Sequence, residues 1–183
     1  MKIGIISDTH GSMISWHKAM ETVFNSADMI LHAGDLFYYG PRNPVPEGYA
    51  PGDLAKAMNE LEIPLIVAKG NCDSEVDQLV LNVPIQNPFA FCQINSLRIL
   101  VYHGHDMDDE QKINLAHKWK IDLMVSGHTH SPKLTRDSGV VLLNPGSPAL
   151  PKEEPTVALI DINKKGEVEI KIFNIDTGDI VLE

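Results

Sequence analysis

Met1-Lys2-Ile3-Gly4-Ile5-Ile6-Ser7-Asp8-Thr9-His10 opens the chain, and its reading decides the fold. A short apolar run, Lys2 to Ser7, ends on an acid and a histidine. Such a run, bounded by a turn signal, reads as a buried strand. Ser12 then offers an N-cap for a helix over Met13 to Asn25, with Ile14, Met20, Val23 and Phe24 as inward positions. Met29 to Ala33 is a second buried strand, Asp53 to Leu61 a second helix, and Pro64 to Ala68 a third strand. This β-α-β-α-β order predicts parallel strands covered by helices.

The second half reads as mixed. Phe89 to Ile94 and Leu97 to Tyr102 form a strand pair that turns at Asn95-Ser96. Asp109 to Trp119 is a helix whose start carries Asp106, Asp108, Asp109 and Glu110, placed well for the helix dipole. Ile121 to Ser126 is another buried strand. Lys133–Thr135, Val140–Leu143, Val157–Ile162 and Glu167–Ile175 continue as strands, with turns at Ser138-Gly139 and Lys164-Lys165-Gly166. The sum is an α/β (α+β by some schemes) domain over 1–183: a four-layer β-sandwich of two mixed sheets flanked by helices. One long irregular segment, Tyr38 to Pro51, is rich in proline; a loop of that length in a compact domain is usually functional or mobile.

Composition narrows the functional classes. At 183 residues and 43% hydrophobic, the chain carries enough apolar mass for one core. The net charge of −10 argues against a surface that tracks long nucleic acid and against a polybasic membrane anchor. Cys72 and Cys92 make no disulfide framework. No apolar run approaches the ~18 residues of a membrane span, so the expected compartment is the cytoplasm. Cys92 and His32 read as core residues, and Phe37, Tyr38 and Tyr39 as exposed aromatics that leave a homo-oligomer open.

The chemistry gathers where strands end. Lys2–Ser7 runs into Asp8-Thr9-His10, Met29–Ala33 into Gly34-Asp35, and Pro64–Ala68 into Gly70-Asn71-Cys72-Asp73. Leu97–Tyr102 runs into His103-Gly104-His105, and Ile121–Ser126 into Gly127-His128-Thr129-His130. Carboxyl ends of parallel strands converge on one crevice. Oxygen and imidazole donors suit hard to borderline divalent ions, and two ions sharing a carboxylate would use all of these side chains.

These blocks, in this order, resemble the calcineurin-like metallophosphoesterases, over roughly Met1 to Asp161. The run Gly70-Asn71-Cys72-Asp73-Ser74-Glu75, the segment around Gly40-Pro41-Arg42-Asn43, and Asn144-Pro145-Gly146-Ser147 are similar to the small bacterial YfcE-type phosphodiesterase branch. The resemblance implies a metallophosphoesterase fold with two divalent ions, manganese foremost, and Fe²⁺, Zn²⁺, Co²⁺ or Ni²⁺ also compatible. It implies that Asp8, His10 and His130 hold the first ion, that Asn71, His103 and His128 hold the second, and that Asp35 bridges them. It further implies hydrolysis of a small phosphodiester by a metal-bridging hydroxide.

Cys72 departs from the histidine that many relatives carry. With a reference pKa of about 8.5, a thiol is a poor proton donor to a leaving group, and His105 is the nearest substitute. Cys72, His105 and Asp73 are therefore the candidate catalytic residues, and Arg42, Asn71 and His105 the candidate substrate contacts. Asp73 has a second reading, as a helix-start residue for a short helix over Ser74–Leu79. Two other activities share this pattern: a phosphomonoesterase or pyrophosphate-cleaving enzyme, and a non-catalytic interaction module of the same fold.

Overall fold

A computed structural model describes all residues, Met1 to Glu183. The N-terminal half runs β1 (Lys2–Ile6), α1 (Met13–Thr22), β2 (Met29–His32), α2 (Pro51–Asn59), β3 (Leu65–Ala68), α3 (Asp77–Val80) and β4 (Ile85–Gln86). The C-terminal half runs β5 (Ala90–Ile94), β6 (Leu97–Val101), α4 (Asp109–Trp119), β7 (Leu123–Val125), β8 (Pro132–Asp137) and β9 (Val140–Pro145). It closes with β10 (Thr156–Ile162), β11 (Val168–Asn174) and β12 (Ile180–Leu182).

The strands build two mixed sheets, one ordered β12-β11-β10-β1-β2-β3-β4 and the other β5-β6-β7-β9-β8. β1 pairs in parallel with β2, and β2 with β3, as the β-α-β-α-β order requires. In the second sheet β6 and β7 are also parallel. Strand alternation sets the layers. Ile3, Ile5, Leu31, Ile99, Val101, Leu123, Val125 and Ile160 meet between the sheets. Ile6, Ile30 and Val67 face the other way, onto Trp16, Ala19, Leu54 and Met58 of α1 and α2. Leu100, Met124 and Leu142 face Ala116 of α4. Each such aliphatic side chain contributes about 1.5–3 kcal/mol on full burial. The expected four-layer sandwich is what the chain forms. No helix is long and apolar enough to cross a membrane.

Several local expectations are corrected. Ser12 does cap α1, accepting from Ser15 N–H, but the helix stops at Thr22. Met20, Val23 and Phe24 face the core beneath α1 as expected, together with Trp16 and Ala19, while Ile14 is 41% exposed. Proline at the first turn starts α2 two residues early, since its missing N–H costs nothing there. Phe37 is buried among the residues under α1 and α2, and only Tyr38 of the three aromatics is exposed. The short helix lies at Asp77–Val80, and Asp77, not Asp73, caps the turn by accepting from Ser74 N–H at 2.7 Å. His32 is a core residue, as expected: it takes the Gly34 N–H on Nδ1 and so donates from Nε2 to Thr9 Oγ1.

Candidate metal centre

The two sheets bring five strand ends to one place. Following β1 and β2, the backbone stays zipped: Asp8 N–H donates to Gly34 O at 2.9 Å, His10 N–H to Asp35 O at 3.0 Å, and Gly11 N–H to Leu36 O at 2.7 Å. This pairing forces turns that ordinary side chains avoid. Asp8, His10, Asp35, His128 and His130 all have positive φ, between 46° and 69°. Each such residue costs on the order of 1 kcal/mol, and strain of this kind persists where surrounding structure over-determines it. Two glycines make the convergence sterically feasible. A Cβ at Gly127 would lie 1.9 Å from Ser7 Oγ, and one at Gly70 would lie 2.1 Å from Asp35 Oδ1.

The imidazoles are held for coordination. His10 Nδ1 lies 2.8 Å from Tyr38 O, His103 Nδ1 2.8 Å from Ala33 O, and His130 Nδ1 2.6 Å from Leu150 O. Carbonyl oxygens only accept, so each Nδ1 carries the proton and each neutral ring turns an Nε2 lone pair inward. The inward atoms then oppose one another. His10 Nε2 and His130 Nε2 are 3.1 Å apart, and His103 Nε2 sits 3.0 Å from Asn71 Oδ1 and 3.4 Å from Asp35 Oδ2. Acceptors facing acceptors at these distances are reconciled by a proton on Nε2 or by a metal ion between them.

The Asp8 carboxylate fits the same requirement. It is fully buried; Oδ2 accepts from His128 N–H at 2.9 Å, while Oδ1 has no hydrogen-bond partner. Oδ1 faces Nε2 of His130 at 3.3 Å, of His10 at 3.7 Å and of His103 at 4.0 Å. Asp8, His10 and His130 form one group of donor atoms that could hold an ion, and Asp8, Asp35 and His103 another. His128 stands against His103 with ring centroids 5.2 Å apart.

In the metal-free protein the carboxylates favour protons on these rings. Burial pushes the His103 imidazole down, but Asp35 and Asp8 outweigh it and hold it up at about 9. His130 is raised in the same way by Asp8. Burial alone would raise the Asp35 carboxyl, yet His103 and the Cys72 N–H keep it below the ordinary carboxylate range. Metal and proton therefore compete for Nε2. Loading Mn²⁺ at pH 7.5 is expected to release at least about one proton per protein. The logarithm of apparent affinity should rise by at least about one per pH unit from pH 7, flattening above about 9. Calorimetry in buffers of different ionisation enthalpy checks this; pH-independent affinity over that range would contradict it.

The other expected residues divide. Arg42, Asn71 and Cys72 line a cleft of about 420 Å³ with Asp35, His128 and His130. Cys72 is half-buried, and in the metal-free protein burial with the Asp35 charge pushes its thiol up to about 12. His105 is exposed and does not line the cleft; its ring lies 5.8 Å from His103 and 6.1 Å from His128, centroid to centroid. Asp73 is buried and does not face the cleft. Its carboxylate accepts from the N–H groups of Leu36, Gly70 and Asp35 at 2.7, 2.7 and 2.9 Å. These three bonds brace the turn that carries Asp35. Sequence reasoning missed Lys152, which also lines the cleft.

Comparison with known proteins gives the chain's family and fold. The family model of the calcineurin-like phosphoesterase superfamily domain matches residues 1–165. Phosphodiesterase YfcE of Escherichia coli (strain K12) is 39% identical over 153 residues, which cover 83% of this chain and 82% of that one. The solved structure of the E. coli YfcE phosphoesterase superposes with a TM-score of 0.84 at 30% identity, covering 99% of this chain and 97% of the other. Vacuolar Protein Sorting 29 from Cryptosporidium parvum shares the fold, with a TM-score of 0.73 at 17% identity over 100% of this chain and 95% of that one. The chain belongs to the calcineurin-like phosphoesterase superfamily.

Proposed function

We propose that this chain is a metal-dependent phosphodiesterase for small phosphodiesters, acting as one domain over 1–183 with two divalent ions, Mn²⁺ foremost. The observation that carries the reading is the facing pair of Nε2 atoms on His10 and His130, closed over the orphaned Asp8 Oδ1. Asp8, His10 and His130 would hold the first ion, and Asn71, His103 and His128 the second. The Asp35 carboxylate lies between the two sets: its Oδ2 is 3.9 Å from His10 Nε2 and 3.4 Å from His103 Nε2. When bound, such ions supply Lewis-acid chemistry, polarising the phosphoryl group and activating water.

The chain's own residues set what can leave. Arg42 lines the cleft and can grip a phosphoryl group of the substrate through two parallel N–H groups. Asn71 keeps its amide fixed, with Nδ2 donating to Cys72 Sγ at 3.3 Å. A neutral, weakly acidic thiol at position 72 favours leaving groups that need little protonation, with His105 as the nearby alternative donor. These features favour an activated diester over a monoester.

The test is a panel of bis(p-nitrophenyl) phosphate and p-nitrophenyl phosphate with Mn²⁺, Fe²⁺, Zn²⁺, Co²⁺ and Ni²⁺. The expected result is metal-dependent turnover, faster for the diester. Cys72→His should make the rate depend less steeply on leaving-group pKa across a series of aryl diesters. Absence of hydrolysis with every metal would overturn the reading in favour of an interaction module. Preference for the monoester would favour a phosphomonoesterase.

A further inference from the structure

The cleft beside the metal centre inverts the charge of the protein. The chain as a whole carries −10, yet the one carboxylate lining the cleft is Asp35, a proposed ion holder. Two cations line it as well, Arg42 and Lys152. The ion pairs of the protein engage Lys18, Lys56, Arg98, Lys112, Lys133 and Lys171, and neither of these two. Their charges are free for a ligand.

Both cations are tied to the same half of the centre. The carbonyl that orients His10 belongs to Tyr38, four positions before Arg42, and Asn43 Nδ2 clamps that loop by donating to Tyr39 O at 2.7 Å. The carbonyl that orients His130 belongs to Leu150, two positions before Lys152, and Lys152 N–H donates back to His130 O at 3.1 Å. Ser147 Oγ anchors the same segment, donating to Asp8 O at 2.8 Å and accepting from Leu150 N–H at 2.9 Å. Thus each histidine of the Asp8–His10–His130 set is coupled through one short backbone segment to one unpaired cation. Two cations at this end are more than a single diester oxygen needs.

Apart from Gly40 and Pro41, the remaining lining is polar. Asn43 and Thr129 border the cleft, and no Phe, Tyr, Trp, Leu, Ile, Val or Met side chain does. The tyrosines of the loop pack on one another instead: Tyr39 lies 5.2 Å from both Tyr38 and Tyr49, ring to ring. No large apolar side chain is present to bury an acyl chain, whereas small-ligand sites for apolar groups are lined by such residues.

We propose that the substrate is a phosphodiester whose second arm is short and polar and ends in a further phosphoryl group, bound by Arg42 and Lys152 over the Asp8–His10–His130 half. This rests on the phosphodiesterase reading for the reacting group only. Charge-assisted hydrogen bonds to the second phosphoryl group would select such substrates over uncharged diesters of the same size.

The test uses two non-hydrolysable probes, ethyl(propyl)phosphinic acid and its 3-phosphono derivative, in which every substituent is joined to phosphorus through a P–C bond, with the Mn²⁺-loaded protein and calorimetric Kd values. The 3-phosphono compound is expected to bind about tenfold tighter or more, with the ratio shrinking in high salt. Lys152→Gln and Arg42→Gln should each cut the ratio to about threefold, and the double variant should bring it near one. A ratio near one in the wild-type protein, or a full ratio surviving in the double variant, would overturn the proposal. A full ratio in a protein that hydrolyses no diester would support the anion site and overturn the diesterase reading. Diester hydrolysis with a ratio near one would do the reverse.

Discussion

Asp35→Asn is expected to lower diester hydrolysis by about 10³-fold or more and to leave the protein folded. The magnitude follows from what the carboxylate does in two directions at once. Asp35 Oδ1 accepts from Cys72 N–H at 2.8 Å, and Oδ2 points between His103 and His10. Asparagine keeps the first bond and the volume. On the other side it removes the charge and presents N–H groups, which repel a cation. Loss of one preorganised electrostatic contact at a reacting centre costs about 10²–10³ in rate, and the proposed bridging position serves both ions. Metal content should fall alongside activity. A third readout separates this from a general loss of structure. Asp35 is a leading cause of the raised His103 imidazole, so the proton released on metal loading should shrink in the variant. Unchanged metal stoichiometry with turnover within about threefold of wild type would remove Asp35 from the bridging position.

The legible part of this site was its list of donors. Asp8, His10, Asp35, His103 and His128 follow apolar strands directly, and parallel strands of one fold must deliver their carboxyl ends to one edge. What could not be read was how the donors are aimed. The aim comes from carbonyls far away in sequence, Tyr38, Ala33 and Leu150, and from positive φ at residues that give no compositional sign of it. Lys152 escaped for the same reason. A lysine after a proline is an ordinary surface pattern, and only the fold of Ser147–Leu150 back onto Asp8 brings it to the cleft. β4 and β12 escaped because strands of two and three residues at a sheet edge leave no alternation to detect. Ile14 reads as inward and Phe37 as exposed because sequence pattern is local, whereas burial depends on how distant segments pack, which leaves Phe37 buried. The 38–50 loop meets the start of α1 through the Ser12–Tyr49 bridge, the Met13 N–H to Gly48 O bond at 3.0 Å and the Ser12 Oγ to Glu47 O bond at 2.6 Å, and still leaves Ile14 41% exposed.

Asp73 is the sharpest case of a residue whose neighbourhood in sequence misstates its work, and its replacement is expected to have the largest effect on stability. Beside Asn71 and Cys72 it reads as part of the reacting group, or as a helix-start residue. In the fold its two oxygens take the N–H groups of Leu36, Asp35 and Gly70, which joins the turn after β2 to the turn after β3. Burial pushes its carboxyl up to about 6 even against those three donors. Asp73→Ala would leave the three N–H groups without an acceptor in a buried turn. At about 1–3 kcal/mol for each orphaned donor, and with water entering to offset part of it, the expected cost is about 3–5 kcal/mol. For a chain of this length that lowers Tm by about 10 °C or more, a large share of the usual total stability. The Asp35 turn should loosen with it, so Mn²⁺ affinity falls even at temperatures where the variant is folded. With saturating Mn²⁺ well below its Tm, the variant should recover much of its kcat, because Asp73 does not face the cleft. Thermal unfolding of the metal-free protein and kcat at saturating metal check this together. An unchanged Tm with kcat lost at saturating metal would return Asp73 to the reacting set. A lowered Tm with kcat recovered fixes it as the brace that holds the bridging carboxylate in place.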